Sequence, residues 1–446
     1  MSKIYNHFQT YEWLGLFWTP NKEIEFPGKL TYTPENGLAL EFMCGAGAKF
    51  DKTTYLYGVV ATGEKVTIFG DFNSAYFGYH FGEVSIYQGN PKFHTAVFGA
   101  HVEPDDKFSG FTLDLTNFQE FCHPQGWKGL AKYSNQPLFQ GRADDLSISI
   151  VNTGKFSFLG KAAENLFFCE NDQVTEKISQ AILEISRQHE NEQILQRKDI
   201  GWELWIEAER GVSYSEVMGN IGKLENLLSL LIFSPVRRTE ASILVADQQG
   251  DGKFRRLPFL SSLFDMSKHK IEVLQREISH FHQAITPRAA KNFSEIISNW
   301  FANFDGFQSF VPQIANRFGR YHEHELRASV VLNLTQLEAI SRYLGCNGEK
   351  DKYDLPLKTY DKTHIREILK FSLGIDDVDK IGKKLSEMRG EIAHVGRPIK
   401  LLAKIGTRGL LKISRCLEVV ITSHIYEKLG VPEANIVEFQ KKENPI

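Results

Sequence analysis

The sequence predicts an α+β protein of several domains: an antiparallel, β-rich N-terminal region, sandwich-like or barrel-like, followed by an all-α helical bundle. Three observations predict it. Turn residues punctuate alternating apolar runs up to about residue 160. Helix-period runs with acidic starts and glycine ends fill the chain from residue 286 onward. The 33 phenylalanines sit mostly before residue 160, and aromatic side chains favour pleated, half-buried surfaces. A chain of 446 residues also exceeds what one core comfortably serves.

Residues 1–160 carry the strand signals. "FPGKLTYTPENGLALEF" places Pro-Gly before one alternating run and Asn-Gly between two, a hairpin signature. "YLYGVVATGEKVTIFGDF", "FHTAVFGAHV", "FSGFTLDLTNF" and "LSISIVNTGKFSFLGKA" continue in the same manner. Residues 161–285 are mixed. "NDQVTEKISQAILEISRQHE" reads as a helix, "GWELWIEAE" as a strand, and "SYSEVMGNIGKLENLLSLLIFSP" as a capped amphipathic helix closed by Pro235. "ASILVAD" and "FRRLPFL" read as strands around "DQQGDGK". This stretch is either a small α+β domain or a continuation of the first. Residues 286–446 read as helices throughout, among them "HELRASVVLNLTQLEAISRYLG", "DKTHIREILKFSLG" and "DDVDKIGKKLSEMRGEIAHVG".

Composition is that of an ordinary soluble protein, 42% hydrophobic and 24% charged, with net charge −3. Five scattered cysteines offer no zinc-ligand spacing and argue for reduced thiols in a cytoplasmic protein. No apolar run approaches the roughly 18 residues of a membrane span, and the start lacks a signal core. No cofactor or metal site is expected. Charge is uneven, however. Residues 380–415 carry ten basic side chains opposed only by Glu387 and Glu391, either a solvated helix face or a phosphate-attracting surface.

Within that stretch, "MRGEIAHVG" sets Arg389 and His394 five positions apart at a helix end closed by Gly396 and Pro398. On an ideal helix that spacing separates two side chains by about 140°. They converge only if the helix end unwinds or a second chain completes the site. Two other pairs, Arg276…His282 and Arg317…His322, also set a histidine five or six positions after an arginine, without the basic surroundings. The pair is therefore either catalytic, or an ordinary helix end with a dipole-compensating histidine and an arginine paired to a carboxylate.

The residues carry a resemblance. "MRGEIAHVG" near the end of a helical region resembles the HEPN superfamily, whose R-x(4–6)-H motif marks metal-independent ribonucleases. The chain as a whole resembles the ApeA family of bacterial anti-phage proteins, a β-rich N-terminal region followed by a HEPN domain. "YEWLGLFWTPNKEIEFPGKLTYTPENGLALEF", "FSGFTLDLTNFQEF" and "LNLTQLEAISRYL" carry the rest of it. The residue after the arginine, usually polar in active members, is Gly390 here.

The resemblance implies Arg389 and His394 as catalytic residues, with Glu338 and Glu391 as supporting carboxylates. An imidazole titrates near neutral pH and serves either proton transfer; a guanidinium matches phosphate oxygens. Lys383, Lys384, Arg397, Lys400 and Lys404 are then candidate RNA-backbone contacts. The implied partners are RNA, transfer RNA foremost, a second copy of the chain through the C-terminal domain, and a phage-derived trigger on the N-terminal region. The alternative is a non-catalytic binding or dimerisation protein.

Overall fold

A computed structural model describes residues 4–21, 25–45, 52–72, 77–81, 84–122, 137–153, 156–158, 172–189, 195–197, 201–247, 254–263, 266–285, 292–307, 309–318, 323–346, 348, 352–394 and 400–443. Nine strands occupy the described part of the first hundred residues: β1 (Tyr11–Trp18), β2 (Glu25–Thr33), β3 (Gly37–Gly45), β4 (Thr53–Val60), β5 (Lys65–Phe72), β6 (Phe77–Phe81), β7 (Val84–Gly89), β8 (Lys92–Phe93) and β9 (Thr95–Phe98). Then follow β10 (Phe108–Leu115), β11 (Phe139–Ala143), β12 (Leu146–Asn152), β13 (Phe156–Phe158), β14 (Leu195–Arg197), β15 (Trp202–Val212), β16 (Arg238–Ala246) and β17 (Phe254–Ser261). The helices are α1 (Phe118–Phe121), α2 (Asp172–Gln188), α3 (Tyr214–Ile232), α4 (Lys268–Gln275), α5 (Phe293–Phe307) and α6 (Val311–Ala315). They continue as α7 (Glu323–Tyr343), α8 (Asp354–Tyr360), α9 (Ile365–Leu373), α10 (Ile381–Ala393), α11 (Leu401–Lys428) and α12 (Glu433–Glu443).

Fifteen strands form one antiparallel sheet, ordered β11-β12-β15-β10-β16-β17-β9-β5-β4-β1-β2-β3-β7-β6, with β8 beside β3. A helical region follows it, as the fold class predicted. The β2–β3 hairpin turns where the Asn-Gly pair stands. Thr33 faces Gly37, Thr33 Oγ1 accepts from the Asn36 backbone, and Gly37 adopts φ 70°, the left-handed conformation such a turn needs. The strands of residues 201–261 rejoin those of the first 160: β10 lies between β15 and β16, and β17 pairs with β9.

Alternation sets which face is buried. Trp13 and Phe17 of β1 point into an aromatic core with Phe26, Phe42 and Phe72, while Leu14 and Leu16 point outward. Gly58 leaves room for Phe17, since a Cβ there would lie 2.6 Å from its ring. A second core is continuous from the sheet into the helices, running through Phe111, Ile206, Leu228, Trp300, Leu417 and Phe439. Burial of such side chains contributes roughly 1.5–3 kcal/mol each.

Helix α3 is the joint between the two parts. Its N-terminus has the capping box that the sequence suggests: Ser213 Oγ accepts from Glu216 N–H, and the Glu216 carboxylate accepts from Ser213 N–H at 2.7 Å. Ser213→Ala should lower stability by about 1 kcal/mol, read as a shift in the denaturant midpoint at unchanged slope. At the other end Phe233, at φ 62°, closes the helix ahead of Pro235. Its ring centre lies 4.4 and 4.3 Å from the guanidinium carbons of Arg317 and Arg415. Arg317 pairs with Glu418 at 3.0 Å, and Arg415 with Glu443. Trp300 Nε1 donates to Lys223 O at 3.0 Å and Tyr426 Oη to Leu230 O at 2.6 Å. Arg317 is thus held against the end of α3, and His322, the histidine spaced with it in the sequence, lies outside the described residues.

Among the described residues no helix is long and apolar enough to cross a membrane. Cys44, Cys122, Cys346 and Cys416 are free thiols.

Candidate functional site

Helix α10 follows from its spacing. Ile381, Leu385 and Met388 recur at intervals of four and three and are fully buried, with Ile392 continuing the stripe. Its first turn rests on a buried carboxylate: Asp354 Oδ1 accepts from Gly382 N–H at 3.1 Å. The approach is close enough that a Cβ on residue 382 would meet Asp354 Oδ2. Helix α10 packs against α7, α9 and α11, which aims the residue after Met388 at α7.

That residue is Arg389. Its Nη1 donates to Glu338 Oε1 of α7 at 2.5 Å and to Tyr353 Oη at 3.4 Å. The same Glu338 oxygen accepts from Tyr353 Oη at 2.7 Å and pairs with Lys352 Nζ at 3.1 Å. Burial raises the Glu338 carboxyl, but the Tyr353 hydroxyl, Lys352 and Arg389 together outweigh it and hold the group below its ordinary value. Glu338 is thus ionised at neutral pH. Burial and the adjacent Glu338 carboxylate push the Tyr353 phenol up to about 12, so it remains a donor. Arg389 is held yet accessible, its side chain 31% exposed. Its Nη2 and Nε have no hydrogen-bond partner among the described residues.

His394 caps the same helix five residues on. Its N–H donates to Gly390 O at 3.3 Å, and at φ −112°, ψ 111° the chain leaves the helix there. The ring is exposed and has no hydrogen-bond partner among the described residues. Within one chain Arg389 turns inward to α7 while His394 stands outside, and no hydrogen bond joins them. The helix end does unwind at His394.

Glu391 has a different role from Glu338. Its carboxylate accepts from the backbone N–H groups of Leu401 at 2.9 Å, Leu402 at 3.0 Å and Lys400 at 3.3 Å, capping α11. Gly406, at φ 66° and ψ 173°, breaks the helix just beyond this first turn. Burial raises the Glu391 carboxyl, but these backbone donors and Lys384 outweigh it and hold it below its ordinary value. Its stabilisation is therefore fully present above the ordinary glutamate pKa and drains away as pH falls through the lower folded value. Glu391→Gln should flatten that acid limb and lower stability by up to about 1 kcal/mol at neutral pH, a change read from melting curves between pH 3 and 7.

Of the predicted backbone contacts, Lys383, Lys400 and Lys404 are exposed on α10 and α11, whereas Lys384 pairs with Glu387. Arg397 lies outside the described residues. The structure thus groups Arg389 with Glu338, and separately ties Glu391 to the start of α11. It adds two residues that sequence reasoning passed over, Lys352 and Tyr353, from a short mixed-charge segment with no periodic pattern.

A large antiparallel sheet followed by a helical region defines the architecture. The family model described as ApeA N-terminal domain 1 matches residues 12–300, and the chain belongs to the ApeA family. That domain points to anti-phage defence. The match ends within α5, before Glu338 and Arg389. No curated protein and no solved structure matches the chain.

Proposed function

We propose that this anti-phage protein acts as a metal-independent HEPN endoribonuclease. The observation that carries the proposal is the helix end itself: a half-exposed, pre-oriented Arg389 and, on the same helix, an exposed His394 freed from helical geometry. The ribose 2′-OH attacks the adjacent phosphorus, and the bond to the 5′-oxygen breaks. The products are a 2′,3′-cyclic phosphate and a 5′-OH end. Arg389 stabilises the charge that grows on the phosphorane oxygens. His394 moves the protons, taking one from the 2′-OH or giving one to the leaving oxygen.

One histidine serves one of those transfers at a time, and within one chain it does not meet Arg389. A homodimer through the helical region supplies the second set. Lys383, Lys400 and Lys404, with Arg397, hold the backbone on either side. Single-stranded loops suit the in-line geometry better than a stacked duplex, which makes transfer-RNA anticodon loops the foremost candidates. The β-rich region senses a phage component and gates the nuclease.

The test is incubation with total bacterial RNA in EDTA, with and without lysate from infected cells, followed by end-group analysis. Fragments ending in 2′,3′-cyclic phosphate support the reading; absence of cutting in every condition overturns it. A second reading has its own observation, the Arg389–Glu338 ion pair, which suits a purely structural arginine. In that case the helical region is a dimerisation or nucleotide-binding module.

A further inference from the structure

Helix α9 carries a side chain that its own packing does not explain. Ile365, Leu369 and Leu373 recur every four residues and are buried, so the core face of the helix is filled. Phe371 stands off that stripe at 80% exposure, the highest of any large apolar side chain among the described residues. A single exposed apolar residue is ordinary; the surroundings set this one apart. The last turn of α9 lies against the first half of α11. A Cβ on Gly374 would lie 3.5 Å from Lys404 Nζ, and one on Gly409 would lie 3.6 Å from Ser372 O. That part of α11 carries Lys404, Arg408 and Lys412, the first two exposed. Among the described residues none of the three forms an ion pair, and neither does Asp376, the exposed carboxylate that follows α9. Glu367 is taken up by Lys370 at 2.5 Å. The start of α11 is clipped to Glu391 of α10, so this face continues from the helix end that bears Arg389 and His394.

We propose that Phe371 is a stacking platform for a base of single-stranded RNA, with Lys404 and Arg408 taking the neighbouring phosphates. This rests on the ribonuclease reading and deepens it, adding a substrate contact outside the arginine–histidine pair. An aromatic face stacks on any base, and cations beside it follow the backbone, so such a surface grips single strands whatever their sequence. A duplex keeps its bases stacked on one another and offers none to the ring. A second copy of the chain suits the surface less. A two-fold contact centred on Phe371 would set these unpaired cations against their own copies.

The test measures binding separately from cutting. It uses the full chain and a fluorescent, 2′-O-methylated single-stranded oligoribonucleotide, which cannot undergo 2′-OH attack. Phe371→Ala should weaken binding by roughly 5- to 150-fold, the worth of one base stacked on an aromatic ring. Its salt slope and melting temperature should stay unchanged, and Phe371→Tyr should bind as wild type does. An abasic probe of the same length should erase the difference between wild type and Phe371→Ala. Arg408→Gln should make the slope of log affinity against log salt shallower by about 0.7, and an unchanged slope removes the phosphate contact. Wild-type affinity in Phe371→Ala overturns the inference, as does absence of binding by the wild type or a loss that persists on the abasic probe. A loss matched by a fall in sedimenting mass assigns Phe371 to a contact between copies and overturns it too. Cleavage by Arg389→Ala and His394→Ala reports on the ribonuclease reading itself. If those two cut like wild type while Phe371→Ala binds weakly, the platform stands and that reading falls.

Discussion

Arg389→Ala protein should leave bacterial RNA uncut in EDTA under conditions where the wild type fragments it. An electrostatic group aimed at developing charge is worth roughly 10²–10³ in rate, and the arginine is the cation that Glu338 and Tyr353 hold in place. His394→Ala removes the proton carrier, a loss of about 10²–10⁴. The two differ in what remains. Arg389→Ala should weaken RNA binding as well as cleavage, whereas His394→Ala should bind RNA as wild type does and fail only in the chemical step. His394 is exposed, and Glu338 keeps Tyr353 and Lys352 as partners when Arg389 is removed, so both variants should fold, which a circular-dichroism melt checks. Mixing the two variants adds a further check. If one copy's arginine works with the other copy's histidine, heterodimers regain part of the activity that neither homodimer has. If wild-type rates persist in both single variants, the helix end is structural and the Arg389–Glu338 pair is its whole purpose.

The second large effect concerns stability. Trp300 is fully buried, stacks on Phe307 with centroids 5.8 Å apart, meets Phe304 edge-on, and donates to the backbone of α3. Trp300→Ala should cost about 3–5 kcal/mol and leave Lys223 O without its donor. Because one core runs from β10 through α3 into α11 and α12, the loss should not be confined to the helices. Calorimetry of the variant should show sheet and helices melting together at a lower temperature. Two separated transitions, only one of them shifted, would sink the idea of a shared core.

Local chemistry was legible in the sequence, and long-range pairing was not. The turn at Asn36–Gly37 and the capping box at Ser213 and Glu216 are written in a few adjacent residues, and both form. The glycine end of α9 is likewise local: Gly374 adopts φ 64° after Leu373. Sheet order is different. Nothing in "GWELWIEAE" or "ASILVAD" states that both flank β10, because antiparallel pairing depends on partners about a hundred residues away. The site divides in the same way. Arg389, His394 and Glu338 were named from a spacing and a resemblance, while Lys352 and Tyr353 gather around Glu338 only once α7, α8 and α10 are packed. Glu391 was named as a support of the arginine, and in the structure its carboxylate caps the following helix.

The break at Gly406 has a mechanical consequence. With φ 66° and ψ 173° this residue adopts a conformation that side-chain-bearing residues essentially avoid. The long segment of α11 that is anchored at Tyr426 is therefore separated by a joint from the turn at residues 401–405. That turn is clipped to Glu391 of α10. Arg389 and the C-cap residue His394 both belong to α10, on the near side of that joint.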